Sequence, residues 1–160
     1  VGMHTLFVTP QEAFASAPVA LHVTSPTWPC LNDYVDANGR LVPAISKVFQ
    51  FPSEWGTITV QDLDIYPGST YRIEAECGAY SSAPAVATTW RRGDLDNDGD
   101  VDVIDVVLVV NKLKQLPGAI STVIADTYPC LPDGIINVLD IVIVVDALKE
   151  IPYYCSPPCH

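Results

Sequence analysis

The chain has 160 residues, 49% of them hydrophobic, which leaves room for one ordinary domain or two small ones and excludes a disordered polypeptide. Nineteen acidic residues against eight basic ones give a formal charge of -11, which argues against nucleic acid or an anionic membrane surface as a partner. No stretch approaches the ~20 apolar residues that a membrane-spanning helix requires. The chain opens at Val1 without a basic segment and apolar core ahead of it, as in a mature protein whose leader has been removed or in a fragment of a longer one.

Residues 1–90 are rich in Thr, Val, Tyr and Pro, and their apolar residues recur at every second position, as in Leu21-His22-Val23-Thr24, Thr57-Ile58-Thr59-Val60 and Tyr71-Arg72-Ile73-Glu74-Ala75. That period predicts antiparallel strands over 4–9, 18–25, 40–51, 56–63, 69–77 and 84–90. Six short strands imply a sandwich with one buried and one wet face, and the prolines at 10, 18, 26, 29, 43, 52, 67 and 84 then belong at strand ends and edges.

The later part of this region carries Leu63, the turn Pro67-Gly68, Tyr71 opening an alternating strand that runs to Ala75, Ser81-Ser82-Ala83-Pro84, and Thr88-Thr89. In this it resembles the last strands of a fibronectin type III domain, well over 55–90 and poorly over 15–55. Residues 28–40, with Cys30 and Asn38-Gly39, depart from the pattern and read as an inserted loop. A Cys30–Cys77 bridge from that loop to a late strand is one candidate pairing. The five cysteines, Cys30, Cys77, Cys130, Cys155 and Cys159, lack the paired spacing of a zinc site. They read as disulfide formers in an oxidising compartment, with one left over.

Trp90-Arg91-Arg92-Gly93 leads without a Gly/Ser/Pro linker into Asp94-Leu95-Asp96-Asn97-Asp98-Gly99-Asp100-Val101-Asp102-Val103-Ile104-Asp105. So stiff a junction predicts that the two parts pack together. Carboxylates stand at positions 1, 3, 5, 9 and 12 of this stretch, glycine stands at the sharp turn of position 6, and Asp100 can offer its carbonyl at position 7. A hard cation wants that many oxygens, whereas an ordinary turn needs no carboxylates at alternate places. The reading is a Ca2+ loop whose crowded acids make folding depend on the metal.

The stretch then repeats. Asp98-Gly99 recurs as Asp133-Gly134, Asp102 as Asn137 and Asp105 as Asp140, each offset by 35 residues, and the apolar run after each loop recurs as well. Valine and isoleucine favour strands, yet both runs are expected to be helices, because such a loop delivers its last carboxylate from the first helical turn. Two loop-helix units in tandem over 93–151 resemble a dockerin, a secreted calcium module that docks on cohesin domains. The resemblance implies a first site of Asp94, Asp96, Asp98, Asp100, Asp102 and Asp105. The second loop departs from the pattern. With a three-residue insertion within 127–132, it would use Asp126, Asp133, the Ile135 carbonyl, Asn137 and Asp140. The residues that help dockerins choose a partner are small and polar in many members; here they are Val103-Ile104 and Val138-Leu139. Apolar residues there need a cover, whether the β-domain, a second copy or a foreign partner.

The three histidines, His4, His22 and His160, are scattered, and no nucleophile elbow, phosphate loop or zinc-protease helix occurs. Glu74 and Glu76 share one strand face and read as solvated acids rather than a glycosidase pair. The expectation is an α+β protein in two parts: a fibronectin III-like antiparallel β-sandwich (1–90), a small helical dockerin-like domain with paired calcium loops (93–151) and a Cys/Pro-rich tail (152–160). Its expected work is non-catalytic extracellular assembly, as a subunit of a fibre or surface layer. The alternative is an adaptor that binds a cohesin or a carbohydrate.

Overall fold

Alternating strands build two antiparallel sheets in the computed structural model, which describes residues 3–10 and 17–158. The strands are β1 (Thr5–Val8), β2 (Ala20–Thr24), β3 (Asn32–Val35), β4 (Leu41–Val42), β5 (Ile58–Gln61), β6 (Thr70–Cys77), β7 (Tyr80–Ser81) and β8 (Ala85–Thr88). β1 pairs with β5 alone, while the larger sheet runs β4-β3-β2-β6, with β7 and β8 both paired to β6. The register sets Val23 opposite Ile73 and Leu21 opposite Ala75, so the apolar set of both central strands falls on one face. That face meets Leu6 and Val60 of the smaller sheet in one core with Val19, Val35, Trp55 and Tyr71. Two layers closed over a shared core are compatible with a β-sandwich.

Tyr71 fixes the corner that leads into β6. Its hydroxyl donates to the Asp64 carbonyl at 2.9 Å and accepts from the Tyr66 amide at 2.6 Å. This is a tyrosine corner, in which one buried ring satisfies a bend that has no ladder partners. Burial pushes the Tyr71 phenol up to about 12.

Three sequence expectations are corrected here. The strand expected over 40–51 ends at Val42, because Pro43 offers no amide to a ladder; a 3-10 turn (Ala44–Ser46) and the short helix α1 (Pro52–Trp55) follow. Pro52 opens α1, where Glu54 accepts from the Phe51 amide at 2.7 Å, and the Trp55 indole donates to the Val19 carbonyl at 3.0 Å. Residues 28–40 are not an inserted loop, since β3 lies in the middle of the larger sheet. The adjacent polar residues Asn32-Asp33 hide its alternation, and Asp36 closes the following turn by accepting from the Asn38 and Arg40 amides, both at 2.8 Å. Finally, Cys77 is a free thiol, so Cys30, which is itself disulfide-bonded, is not joined to it. Cys130 and Cys155 form a disulfide; Cys159 and His160 lie outside the described residues.

The C-terminal part holds α2 (Val103–Leu113), α3 (Thr122–Ala125) and α4 (Val138–Leu148). Both long apolar runs are helical despite their β-branched content. Asp102 and Asn137 cap them, accepting from the Ile104 amide at 2.6 Å and the Leu139 amide at 2.8 Å. Leu95, Val109, Ala125 and Val144 form the core between them. No helix among the described residues is long and apolar enough to cross a membrane.

The two parts touch at several points. Gly93, at φ +84, is packed so closely that a Cβ there would stand 2.6 Å from the Ala147 Cβ. Its amide faces the Met3 sulfur at 3.4 Å. Arg92 donates to the Ile151 carbonyl and lies over the Tyr153 ring, 5.2 Å from its centre. His4 closes the junction. Its Nδ1 lies 3.0 Å from the Ile65 carbonyl, which can only accept, so the proton sits there and Nε2 accepts from the Tyr153 hydroxyl at 2.5 Å. Burial lowers the His4 pKa to about 4 and so keeps the ring neutral.

Candidate metal centre

The first acidic loop wraps its own backbone around its carboxylates. Asp96 accepts from the Asp98 amide at 3.2 Å and Asp98 from the Asp100 amide at 2.9 Å, each through one oxygen. Asp105, on the first turn of α2, accepts from the Leu95 amide at 2.6 Å and the Asp102 amide at 2.9 Å. Gly99, at φ +100, turns the chain where a side chain would be strained, and its amide donates to Asp94 Oδ2 at 3.2 Å. Its carbonyl accepts from Arg91 at 2.5 Å, which ties the turn to the junction.

One group in this loop is left over. Asp94 is 2% exposed, and its Oδ1 has no hydrogen-bond partner. A buried carboxylate oxygen without a donor costs several kcal/mol unless a cation meets it. Oxygens of Asp94, Asp96 and Asp98 lie within 4.8 Å of one another, so the orphaned oxygen belongs to a cluster that one cation can bridge. An all-oxygen donor set fits a hard cation such as Ca2+ rather than zinc.

The second loop repeats three features of this pattern: the glycine-amide bond, the two amides on the last carboxylate, and the bond two residues ahead of an aspartate. Asp140 accepts from the Thr127 amide at 2.7 Å and the Asn137 amide at 2.8 Å, as Asp105 does from Leu95 and Asp102. Asp133 accepts from the Ile135 amide at 2.8 Å, and Asp126 Oδ2 from the Gly134 amide at 2.5 Å. Asp126 is also 2% exposed, and its Oδ1 is likewise unpartnered. Asp94 and Asp126 are 32 positions apart while Gly99 and Gly134 are 35 apart, so three extra residues lie between Thr127 and Asp133. The charges of Asp140 and Asp133 reach Asp126, but among the described residues only Asp94, Asp96 and Asp98 of the first loop bring three carboxylate oxygens within 4.8 Å of one another.

Electrostatics mark the same two residues. Burial raises the Asp94 pKa, helped by the charges of Asp105 and Asp96 and opposed by the Gly99 and Asn97 amides. Burial and the charges of Asp140 and Asp133 push the Asp126 carboxyl up to about 6. A divalent cation would reverse both shifts, because it favours the ionised form.

Two contributors left little or no signal in the residue pattern. The Tyr128 amide adds a bond to Asp140 Oδ1 at 2.9 Å, and Cys130, inside the insertion, is tied to Cys155 of the tail. Only the presence of a cysteine in the insertion hinted at the second. The residues expected to face a partner, Val103, Ile104, Val138 and Leu139, are exposed, and Val107 and Val142 one turn further on are exposed as well.

Outside the loops, one carboxylate gathers several partners. Glu76 accepts from Tyr34 at 2.9 Å and lies 3.2 Å from His22 and 3.5 Å from Lys47. A cleft of about 560 Å³ at the junction is lined by Tyr66, Arg91, Arg92, Glu150 and Tyr153 among others. No protein-family model matches the chain, and no curated protein and no solved structure matches it.

Proposed function

We propose that the protein is a secreted, non-catalytic calcium-binding assembly protein, in which residues 93–151 form a dockerin-like tandem calcium module fixed to a fibronectin III-like sandwich. The observation that carries this reading is the pair of buried, unpartnered oxygens on Asp94 and Asp126, at equivalent points of two loops with the same internal hydrogen bonds. Two such groups destabilise a metal-free fold and are relieved by the cation that the remaining carboxylates can hold. The tyrosine corner at Tyr71 supports the kinship of the β-domain. A disulfide and the absence of a membrane-length helix among the described residues are compatible with secretion.

The metal is structural, and the partner is chosen by the apolar N-terminal turns of α2 and α4. Their exposure favours self-association into an extracellular fibre or layer. The adaptor reading rests on the same four side chains, which stand where dockerins contact cohesins. Thermal melting with calcium and with a chelator tests the metal: calcium should raise the midpoint, and an unchanged midpoint overturns the reading. Light scattering at high concentration with calcium separates the partners. A monodisperse monomer that is captured on immobilised cohesins would favour the adaptor.

A further inference from the structure

The second loop is attached to the C-terminal tail. Outside the helices and strands, no backbone-to-backbone hydrogen bond among the described residues involves residues 127–136. On one side the insertion is held by the bonds from Thr127 and Tyr128 to Asp140. On the other it is held by the Cys130–Cys155 disulfide, which closes a span of 25 residues around α4. The tail does not hang free. Tyr153 bonds His4, the Tyr66 hydroxyl reaches the Cys155 carbonyl at 3.5 Å, and Arg92 holds the Ile151 carbonyl. The Tyr154 ring lies 5.9 Å from the Tyr128 ring.

The first loop needs no such support, because oxygens of three of its own carboxylates, Asp94, Asp96 and Asp98, already lie within 4.8 Å of one another. The second lacks a carboxylate at the third position of the pattern, and a backbone oxygen of the insertion would have to replace it. A backbone oxygen is a useful ligand only if the chain is held still, since ordering it at binding costs conformational entropy. We propose that the tail is a strap that makes the second site redox-dependent: this loop binds calcium tightly only while Cys130–Cys155 is closed. Reduction transfers two electrons and two protons from a dithiol to the bridge and leaves two thiols. The insertion then loses its covalent tie to the tail and keeps its bonds to Asp140 and the Tyr128–Tyr154 ring contact, while the first site is untouched. This inference rests on the calcium reading of the second loop.

The test is calcium titration calorimetry of the full chain carrying Asp94→Asn, which silences the first loop, with and without the pair Cys130→Ser and Cys155→Ser. The bridged protein should bind one calcium, and the serine pair should weaken that binding about tenfold or more, a loss of the order expected for opening a disulfide-closed loop. The serine pair with Asp94 intact should retain the first site at unchanged affinity, which also reports that the module is folded. If that variant does not fold, dithiothreitol followed by alkylation of the folded protein provides the second measurement, with Cys30→Ser as the control for the other bridge. Affinity of the second loop unchanged within about twofold after the bridge is opened overturns the strap. Absence of calcium binding in the bridged Asp94→Asn protein overturns the second site itself.

Discussion

The carboxyls of Asp94 and Asp126 occupy the same corner of two loops: each is buried, each gives one oxygen to the amide of the turn glycine, and each leaves the other oxygen unpartnered. This relationship makes the metal-free molecule frustrated at two places. Replacing Asp94 by Asn removes the buried charge while the side-chain oxygen can still accept from Gly99, and the new NH2 faces the oxygens of Asp96 and Asp98. Without calcium, Asp94→Asn should therefore melt no lower than the parent. With calcium, it should lose most of the first site's contribution to the rise in melting temperature. Scanning calorimetry in chelator and in excess calcium reads both halves; a variant that melts well below the parent in chelator would show that the carboxylate stabilises the apo fold.

Gly93 is where the first loop leans on α4. An alanine there meets the Ala147 Cβ at 2.6 Å and the Val101 Cγ1 at 3.1 Å, on a backbone at φ +84. Strain and overpacking together should cost roughly 2–4 kcal/mol of stability in urea unfolding. Adding Ala147→Gly should recover the steric part and leave the backbone part. A Gly93→Ala protein as stable as the parent would mean that this contact is loose in solution.

How much of this was legible depends on which atoms do the work. β2 and β6 show in the sequence because Leu21, Val23, Tyr71 and Ile73 alternate with polar neighbours. β3 did not, because Asn32 and Asp33 stand side by side and Asn32 and Tyr34 spend their polar atoms on His22 and Glu76. The run 40–51 read as one strand because its apolar residues outweighed Pro43 and Pro52, which end it. In the loops, the side chains that carry oxygens are visible in the spacing, and counting back from Asp140 already asks for three extra residues. The Thr127 and Tyr128 amides, the His4–Tyr153 contact and the Cys130–Cys155 pairing were not visible. Backbone donors have no residue type, and contacts across the chain leave no local pattern.

His4 makes the junction sensitive to acid. Its pKa is about 4 in the folded chain against 6.5 for an ordinary histidine, so between these values the unfolded chain binds more protons than the folded one. Stability from this residue is complete above the ordinary value and is lost as the pH falls toward the folded value, up to roughly 3 kcal/mol in total. Chemical denaturation at pH about 7.5 and about 5, at fixed calcium, should show the parent losing about 2 kcal/mol more than His4→Gln does, the comparison cancelling the titration of Asp126 common to both. Equal losses in both proteins would place the acid sensitivity elsewhere.

The thiols give a covalent check on the junction and the strap. Cys77 is free and half-buried at the end of β6, whereas Cys130 and Cys155 are joined. Alkylation under non-reducing, denaturing conditions followed by peptide mapping should label Cys77 and yield one cross-linked peptide containing Cys130 and Cys155. Recovery of Cys77 in a cross-link within a single chain would contradict the fold of the β6–β7 hairpin.

The apolar turns of α2 and α4 separate stability from assembly. Ile104 is 50% exposed and Leu139 is 42% exposed, and each follows a capping residue rather than filling the core. Glutamine at both positions keeps the length and roughly the helix propensity of the side chains and adds no charge near the loops. Stability should change by no more than about 0.5 kcal/mol per site, the usual range for surface positions. Calcium affinity should also be unchanged, because the amides of these residues, not their side chains, hold Asp102 and Asn137. If these turns are the docking surface, self-association seen by light scattering, or capture on cohesins, should be lost while both controls hold. Losing binding and stability together would instead mean that the side chains are covered within the molecule. That outcome would move the search for a partner to another face.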